Sequence, residues 1–219
     1  MKKKSSLNRT DKKRTILSTT THIFRYITEY IRVLIYFWKT PTCVTVYGSA
    51  RMTENHEYYQ AAVEVGKHLA ENKLAVMTGG GPGLMEAVNR GAFINDGLSL
   101  GCAIKLPKEQ DRNPYLHRSF TCRYFFIRKI ILARYSKAFI ALPGGFGTLD
   151  ELFEMLNLIC TGRTLPHSVI LFGSKFWQPF YNAIHQHLVT HGMITQDEAH
   201  LVHITDDISS IAKLINHDT

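Results

Sequence analysis

The chain reads as an α/β protein with a doubly wound parallel sheet covered by helices on both faces. From Cys43 onward, short β-rich runs alternate with helical stretches, the pattern of parallel strands joined by crossover helices. Three of those strands leave through glycine, at Gly48, Gly79 and Gly144. Ligands of such sheets sit beyond the carboxyl ends of the strands, so all three turns are expected on one edge.

The elements follow in order. Between Ile23 and Trp38 the chain is apolar except for Arg25, Thr28, Glu29 and Arg32. Those polar positions fall on one stripe of a helix, which Thr40-Pro41 ends. Cys43–Tyr47 reads as a strand, His56–Asn72 as a helix with Ala62, Val65 and Leu69 on one face, and Leu74–Thr78 as a second strand. A helix to about Asn95, a strand Leu98–Ile104, a helix Tyr124–Tyr135 and a strand Ala138–Leu142 come next. Thr148–Cys160 is helical, Val169–Phe172 a strand and Phe176–Val189 a helix. An extended run near Leu201–Ile204 precedes a last helix capped by Asp206 or Asp207. Residues 1–20 are expected to be a flexible basic tail, 21–40 an N-terminal helix, and 41–219 a single domain.

Composition narrows the function classes. The chain has 219 residues, 45% hydrophobic, enough for a core without a disulfide or metal staple. The net charge of +8 is uneven. Residues 1–14 hold seven cations against Asp11, leaving only +2 for the rest. The domain itself therefore carries no bias toward nucleic acid. Cys43, Cys102, Cys122 and Cys160 include no CxxC pair and no zinc array, so a reducing, cytoplasmic location is expected. The 23–38 stretch is too short and too charged to span a membrane. Packing on protein is expected of it, with an interfacial membrane helix as the other possibility. His185, His187 and His191 lie close together, yet no third ligand is evident, and no metal is expected.

Two glycine loops carry the chemistry. In Thr78-Gly-Gly-Gly-Pro-Gly-Leu-Met-Glu86, the turn Gly79, Gly80, Gly81 allows close backbone approach, and Pro82 suits a first helical position. Free N–H groups behind it suit an anion. Pro143-Gly-Gly-Phe-Gly-Thr-Leu-Asp-Glu151 repeats the strand, glycine turn and helix start through Gly144, Gly145, Phe146 and Gly147. Neither loop is a Walker A motif or a dinucleotide fingerprint. Thr148-x-x-Glu151 could be a capping box. Alternatively, Glu151 stands off from a phosphate and faces an uncharged sugar that becomes cationic during reaction. Arg128-Lys129 is an adjacent cation pair in an apolar helix, with one member expected to point into the cleft.

Together these motifs resemble the LONELY GUY (LOG) family, also catalogued as lysine-decarboxylase-like proteins, in its common bacterial branch. The matching segments are VTVYGSAR (44–51), TGGGPGLMEAVNRGA (78–92), LPKEQDRNPY (106–115), YFFIRK (124–129) and ALPGGFGTLDELFE (141–154). The resemblance implies a Rossmann-like fold and a dimer or larger assembly. It also implies hydrolysis of the N-glycosidic bond of a nucleoside 5′-monophosphate, of AMP or cytokinin riboside type, to base and ribose 5-phosphate. It places catalysis on Glu151 and Arg128 and substrate contacts on Glu109, Lys129 and Gly145 through Glu151. The glycine turns with Gly48, Ser49 and Glu86 join the substrate-binding set. A family threonine position is Asn157 here. No cofactor is implied, and no lysine stands out as the pyridoxal-phosphate carrier that decarboxylation requires. The alternative is a non-catalytic nucleotide sensor or cofactor carrier of the same fold, and a third reading is a membrane-attached scaffold using the basic tail and apolar helix.

Overall fold

A computed structural model of the chain describes residues 9–106 and 111–217. It divides into two units, residues 1–39 and 40–219. The first holds helix α1 (Arg9–Phe37), which begins inside the segment read from the sequence as a tail. Ile23, Ile27, Ile31 and Ile35 recur along it every four residues and are exposed. Among the described residues no helix is long and apolar enough to cross a membrane.

The second unit is built on seven strands: β1 (Cys43–Tyr47), β2 (Ala75–Thr78), β3 (Ser99–Ile104), β4 (Arg118–Cys122), β5 (Ser136–Ala141), β6 (Ser168–Phe172) and β7 (Val202–Thr205). Their order is β4-β3-β2-β1-β5-β6-β7, and every pair is parallel. The chain winds outward from β1 to β4, then returns to the other side of β1 with β5. That reversal is where a crevice opens at the carboxyl ends of the strands.

The connecting helices are α2 (Glu57–Glu71), α3 (Leu84–Ile94), α4 (Phe125–Arg134), α5 (Phe146–Cys160), α6 (Ser174–Thr190), α7 (Gln196–Ala199) and α8 (Ile208–His217). Strand alternation sorts them into two layers. Val44 and Val46 of β1 and Ala138 and Ile140 of β5 pack against α2, α3 and α8. Thr45 points the other way, where its hydroxyl donates to the Leu132 carbonyl of α4. On that second face Ala141, Val169 and Leu171 meet Leu152 of α5 and Trp177 of α6.

Two elements were absent from the sequence reading. Strand β4 (RSFTC) sits at the sheet edge with mostly half-buried residues, so no apolar run announces it. Helix α7 is four residues long and held by a capping box, Thr195 with Glu198. Of the two aspartates expected to cap the last helix, only Asp207 does so. Asp207 accepts from Ser209 N at the start of α8 (2.9 Å), while Asp206 accepts from Ser174 N at the start of α6 (2.7 Å).

Gly83 shows how tightly the turns are fitted. It is the N-cap of α3 at φ 72, so Pro82 lies outside the helix and not at its first position. A Cβ at Gly83 would strike the Ser49 carbonyl oxygen and come within 2.7 Å of the Ala50 carbonyl carbon. Gly83→Ala is expected to cost at least about 2 kcal/mol, from positive-φ strain and the backbone clash together. Urea unfolding measures it, and a loss below about 0.5 kcal/mol would mean that the two loops part without penalty.

Candidate active site

Three turns converge at the carboxyl edge of the sheet. Ser49, after β1, donates its N–H to the Pro143 carbonyl after β5 (3.1 Å). Its own carbonyl accepts from Leu84 N at the start of α3 (2.8 Å). Gly48-Ser49, Gly79–Gly83 and Pro143–Gly147 are thus laced into one rim by backbone hydrogen bonds. Gly48 is required because a Cβ there would lie 2.9 Å from Leu84 Cβ.

A buried polar network fixes the second turn. Thr78 donates to Asn89 Oδ1 (2.6 Å) and accepts from Gly80 N (2.9 Å). Asn89 donates to Ser99 Oγ (2.8 Å). Asn113 donates to Asn89 Oδ1 and to the Gly81 carbonyl, both at 3.0 Å. A fully satisfied network of this kind is rigid. Thr78, Asn89, Ser99 and Asn113 were missed by the sequence reading. The one available signal was Asn89 itself, an amide on the apolar face that Leu84, Val88 and Ala92 give α3.

Under the rim lies an ion pair. Arg128 of α4 and Glu151 of α5 are each only 8% exposed. Arg128 Nη1 meets Glu151 Oε1, and Arg128 Nε donates to the Cys102 carbonyl of β3 (2.9 Å). Gly79 makes room for this arginine: a Cβ there would sit 2.6 Å from Arg128 Nη2 and 2.7 Å from Met85 Sδ. Burial pushes the Glu151 carboxyl above its ordinary value, and the Arg128 charge recovers only part of that shift. For Arg128, burial works against the charge, but Glu151 and the other partners outweigh it and the guanidinium stays protonated.

The capping-box reading of Glu151 is corrected here. Helix α5 starts at Phe146 with Gly145 as its N-cap, so Thr148 and Glu151 are both inside the helix. Thr148 is buried, and its side chain fills the space that a Cβ on Gly144 would need. The first turn of α5 has no side-chain cap, and no atom lies within 4 Å of a Cβ added at Gly145 or Gly147. Phe146 between them is 92% exposed. The turn therefore offers an open helix N-terminus.

The structure brings Gly48, Ser49, Gly79, Gly80, Gly81, Arg128, Gly144–Gly147, Thr148 and Glu151 together and separates others. Lys129 turns away from Glu151 and joins Asp150 (2.8 Å) and Glu154 (2.9 Å). Glu86 accepts from Tyr59 of α2 (3.4 Å), in the layer on the opposite face of the sheet from α4. Asn157 lies about two turns beyond Glu151, lining an apolar cavity of about 320 Å³ with Phe153, Trp177 and Phe180. Glu109 lies outside the described residues.

Comparison with known proteins shows the family of the chain. The family model described as possible lysine decarboxylase matches residues 85–215, more than half of the chain. The cytokinin riboside 5′-monophosphate phosphoribohydrolase of Rhodococcoides fascians is 31% identical over 175 residues, covering 77% of this chain and 86% of that protein. The enzyme LOG of Oryza sativa, with the same activity in its name, is 32% identical over 73% of this chain, which spans 66% of the rice protein. A pyrimidine/purine nucleotide 5′-monophosphate nucleosidase of Escherichia coli is 25% identical over 90% of this chain and 45% of that protein. Among solved structures, the molybdenum cofactor binding protein of Rippkaea orientalis superposes with a TM-score of 0.59 at 21% identity, covering 81% of this chain and 96% of that one. The molybdenum cofactor carrier protein of Chlamydomonas reinhardtii gives 0.58 at 21% identity, over 80% and 99%. At that identity the two structures speak for the fold alone. On the family match and the relatives above 30% identity, the chain belongs to the LOG family, the group described as possible lysine decarboxylase.

Proposed function

We propose that the protein hydrolyses the N-glycosidic bond of a nucleoside 5′-monophosphate, releasing the base and ribose 5-phosphate. The observation that carries this reading is the buried Arg128–Glu151 pair directly beneath the three glycine turns. The uncapped first turn of α5 holds the 5′-phosphate through backbone N–H groups. With the phosphate as handle, the ribose is positioned toward Glu151. As the C1′–N bond lengthens, positive charge grows on the ribose, and the carboxylate stabilises it. Water then bonds to C1′ and gives up a proton, while the bonding pair leaves with the base, which takes up a proton. Arg128 keeps Glu151 ionised in a site whose burial opposes that charge.

The same proposal includes a cytoplasmic location and a homodimer or larger assembly, with the isoleucine row of α1 contacting protein. Support comes from the relatives' names for the substrate, from the four free cysteines for the compartment, and from the exposed row for the contact.

AMP is expected to turn over at least about a hundredfold faster than adenosine at equal, subsaturating concentration, since a charge-assisted phosphate site is worth several kcal/mol. Chromatography of released adenine measures both. Equal rates would remove the phosphate handle from the mechanism. Binding of AMP with no base released would favour a sensor or carrier instead.

A further inference from the structure

We propose a second ligand site, at the amino edge of β1 and β5, that binds a phosphorylated small molecule with a flat apolar body. A groove of about 830 Å³ opens there, lined by Lys129, Ile130 and Arg134 of α4, Lys137 of β5, and Arg163 and Leu165 of the α5–β6 loop, among others. It lies across the sheet from the glycine turns, because Thr42 and Ser136 on its wall stand at the start of β1 and β5. Its size is within the range of about 300–1,000 Å³ usual for small-molecule sites.

Two of the four cations of the groove are engaged within the fold and two are not. Lys129 is held by Asp150 and Glu154, and Lys137 donates to Asn216 (3.2 Å). The guanidinium groups of Arg134 and Arg163 have no hydrogen bond or ion pair among the described residues. The bland explanation is that they offset the helix ends beside them, the carboxyl termini of α4 and α5. Each such end is worth about half a negative charge, less than one guanidinium carries. Both therefore keep charge for a ligand, in a groove whose remaining wall includes Glu154, already paired with Lys129, and the apolar Ile130, Ala133, Leu158 and Leu165. Ile130 and Leu165 are exposed at 44% and 74%. Unpaired guanidinium beside bare apolar surface is the complement of a phosphate attached to a flat ring, and nucleotides have that chemistry.

The groove shares helices α4 and α5 with the proposed catalytic pair. Lys129 follows Arg128, and its partners Asp150 and Glu154 flank Glu151 along α5.

Hydrogen exchange read by mass spectrometry on the full chain, with ADP as the probe, tests the proposal. Millimolar ADP is expected to slow exchange across residues 129–137 and 158–168. In the double variant Arg134→Ala with Arg163→Ala, the ADP concentration needed is expected to rise at least about tenfold. Both side chains are on exposed residues, so the variant should fold normally. Three results would overturn the proposal: no slowing anywhere, slowing confined to the glycine turns at 79–83 and 144–148, or an ADP response unchanged in the double variant. Because exchange reports occupancy and not turnover, a failure to hydrolyse AMP leaves this test intact.

Discussion

Glu151→Gln is expected to lower kcat for AMP by about a hundredfold or more, with AMP binding nearly unchanged. The substitution keeps the shape and a hydrogen-bond acceptor for Arg128 but removes the charge that faces the developing ribose cation. Ground-state binding rests on the phosphate, at the turn before Glu151, so KM should move little. Retained AMP binding also shows that the variant is folded, which matters because Arg128 loses its counter-ion. The pH profile gives a second readout. Burial raises the Glu151 pKa above its ordinary 4.5, and the reaction needs the ionised form. Wild-type activity should therefore fall on the acid side at a pH above that value, and the glutamine variant should lack that limb. A variant with near-normal kcat would assign the carboxylate a purely structural place against Arg128.

Arg128→Ala should damage stability as well as activity. Removing one partner of a buried pair leaves the other charge uncompensated, at a cost of about 3–5 kcal/mol at neutral pH. The loss has a direction in pH. Without the guanidinium, the Glu151 pKa in the folded chain rises further above its unfolded value, so the native state binds a proton more readily than the unfolded one. The deficit relative to wild type should then be small below about pH 4, where both states are protonated, and grow as pH rises toward the folded pKa. Denaturant unfolding of both proteins at acid and neutral pH measures it. A deficit independent of pH would show that lost packing and the lost bond to the Cys102 carbonyl dominate, and not the orphaned carboxylate.

The sheet was legible in the sequence because a parallel, doubly covered sheet writes itself as buried runs: every residue of β1 and β6 is buried. Edge strand β4 lacks that signature, since Arg118 through Thr121 are only half-buried there. The glycine turns were legible as turns, but the reason for each glycine was not. Gly79 is glycine because Arg128 occupies its side-chain space, and Gly144 because Thr148 does. Both causes are contacts across long stretches of chain or a helix start set two residues early. Arg128 and Lys129 were adjacent cations in one dimension. Only the packing of α4 on α5 shows that one is buried against Glu151 and the other shares Asp150 and Glu154 at the outer side. Glu86 and Asn157 illustrate the reverse: a motif position names a residue, while helix phase decides which way it faces.

The strand order has a consequence for the order of events during synthesis. Cys43 pairs with Ala75 on one side and with Ser136 on the other. One flank of β1 can close after about thirty further residues, while the other waits for more than ninety. Long-range pairing of that kind is slow to form. Glu151 comes later still, so Arg128 leaves the ribosome before its counter-ion does. A nascent chain halted between Arg128 and Ser136 holds a cation with nowhere to bury it and a half-sheet exposing the edge of β1. Such a fragment is a natural client for a chaperone. If the two halves of the chain were made as separate polypeptides, neither should show nucleotide cleavage alone, and activity should return only when they reassemble around the β1–β5 seam.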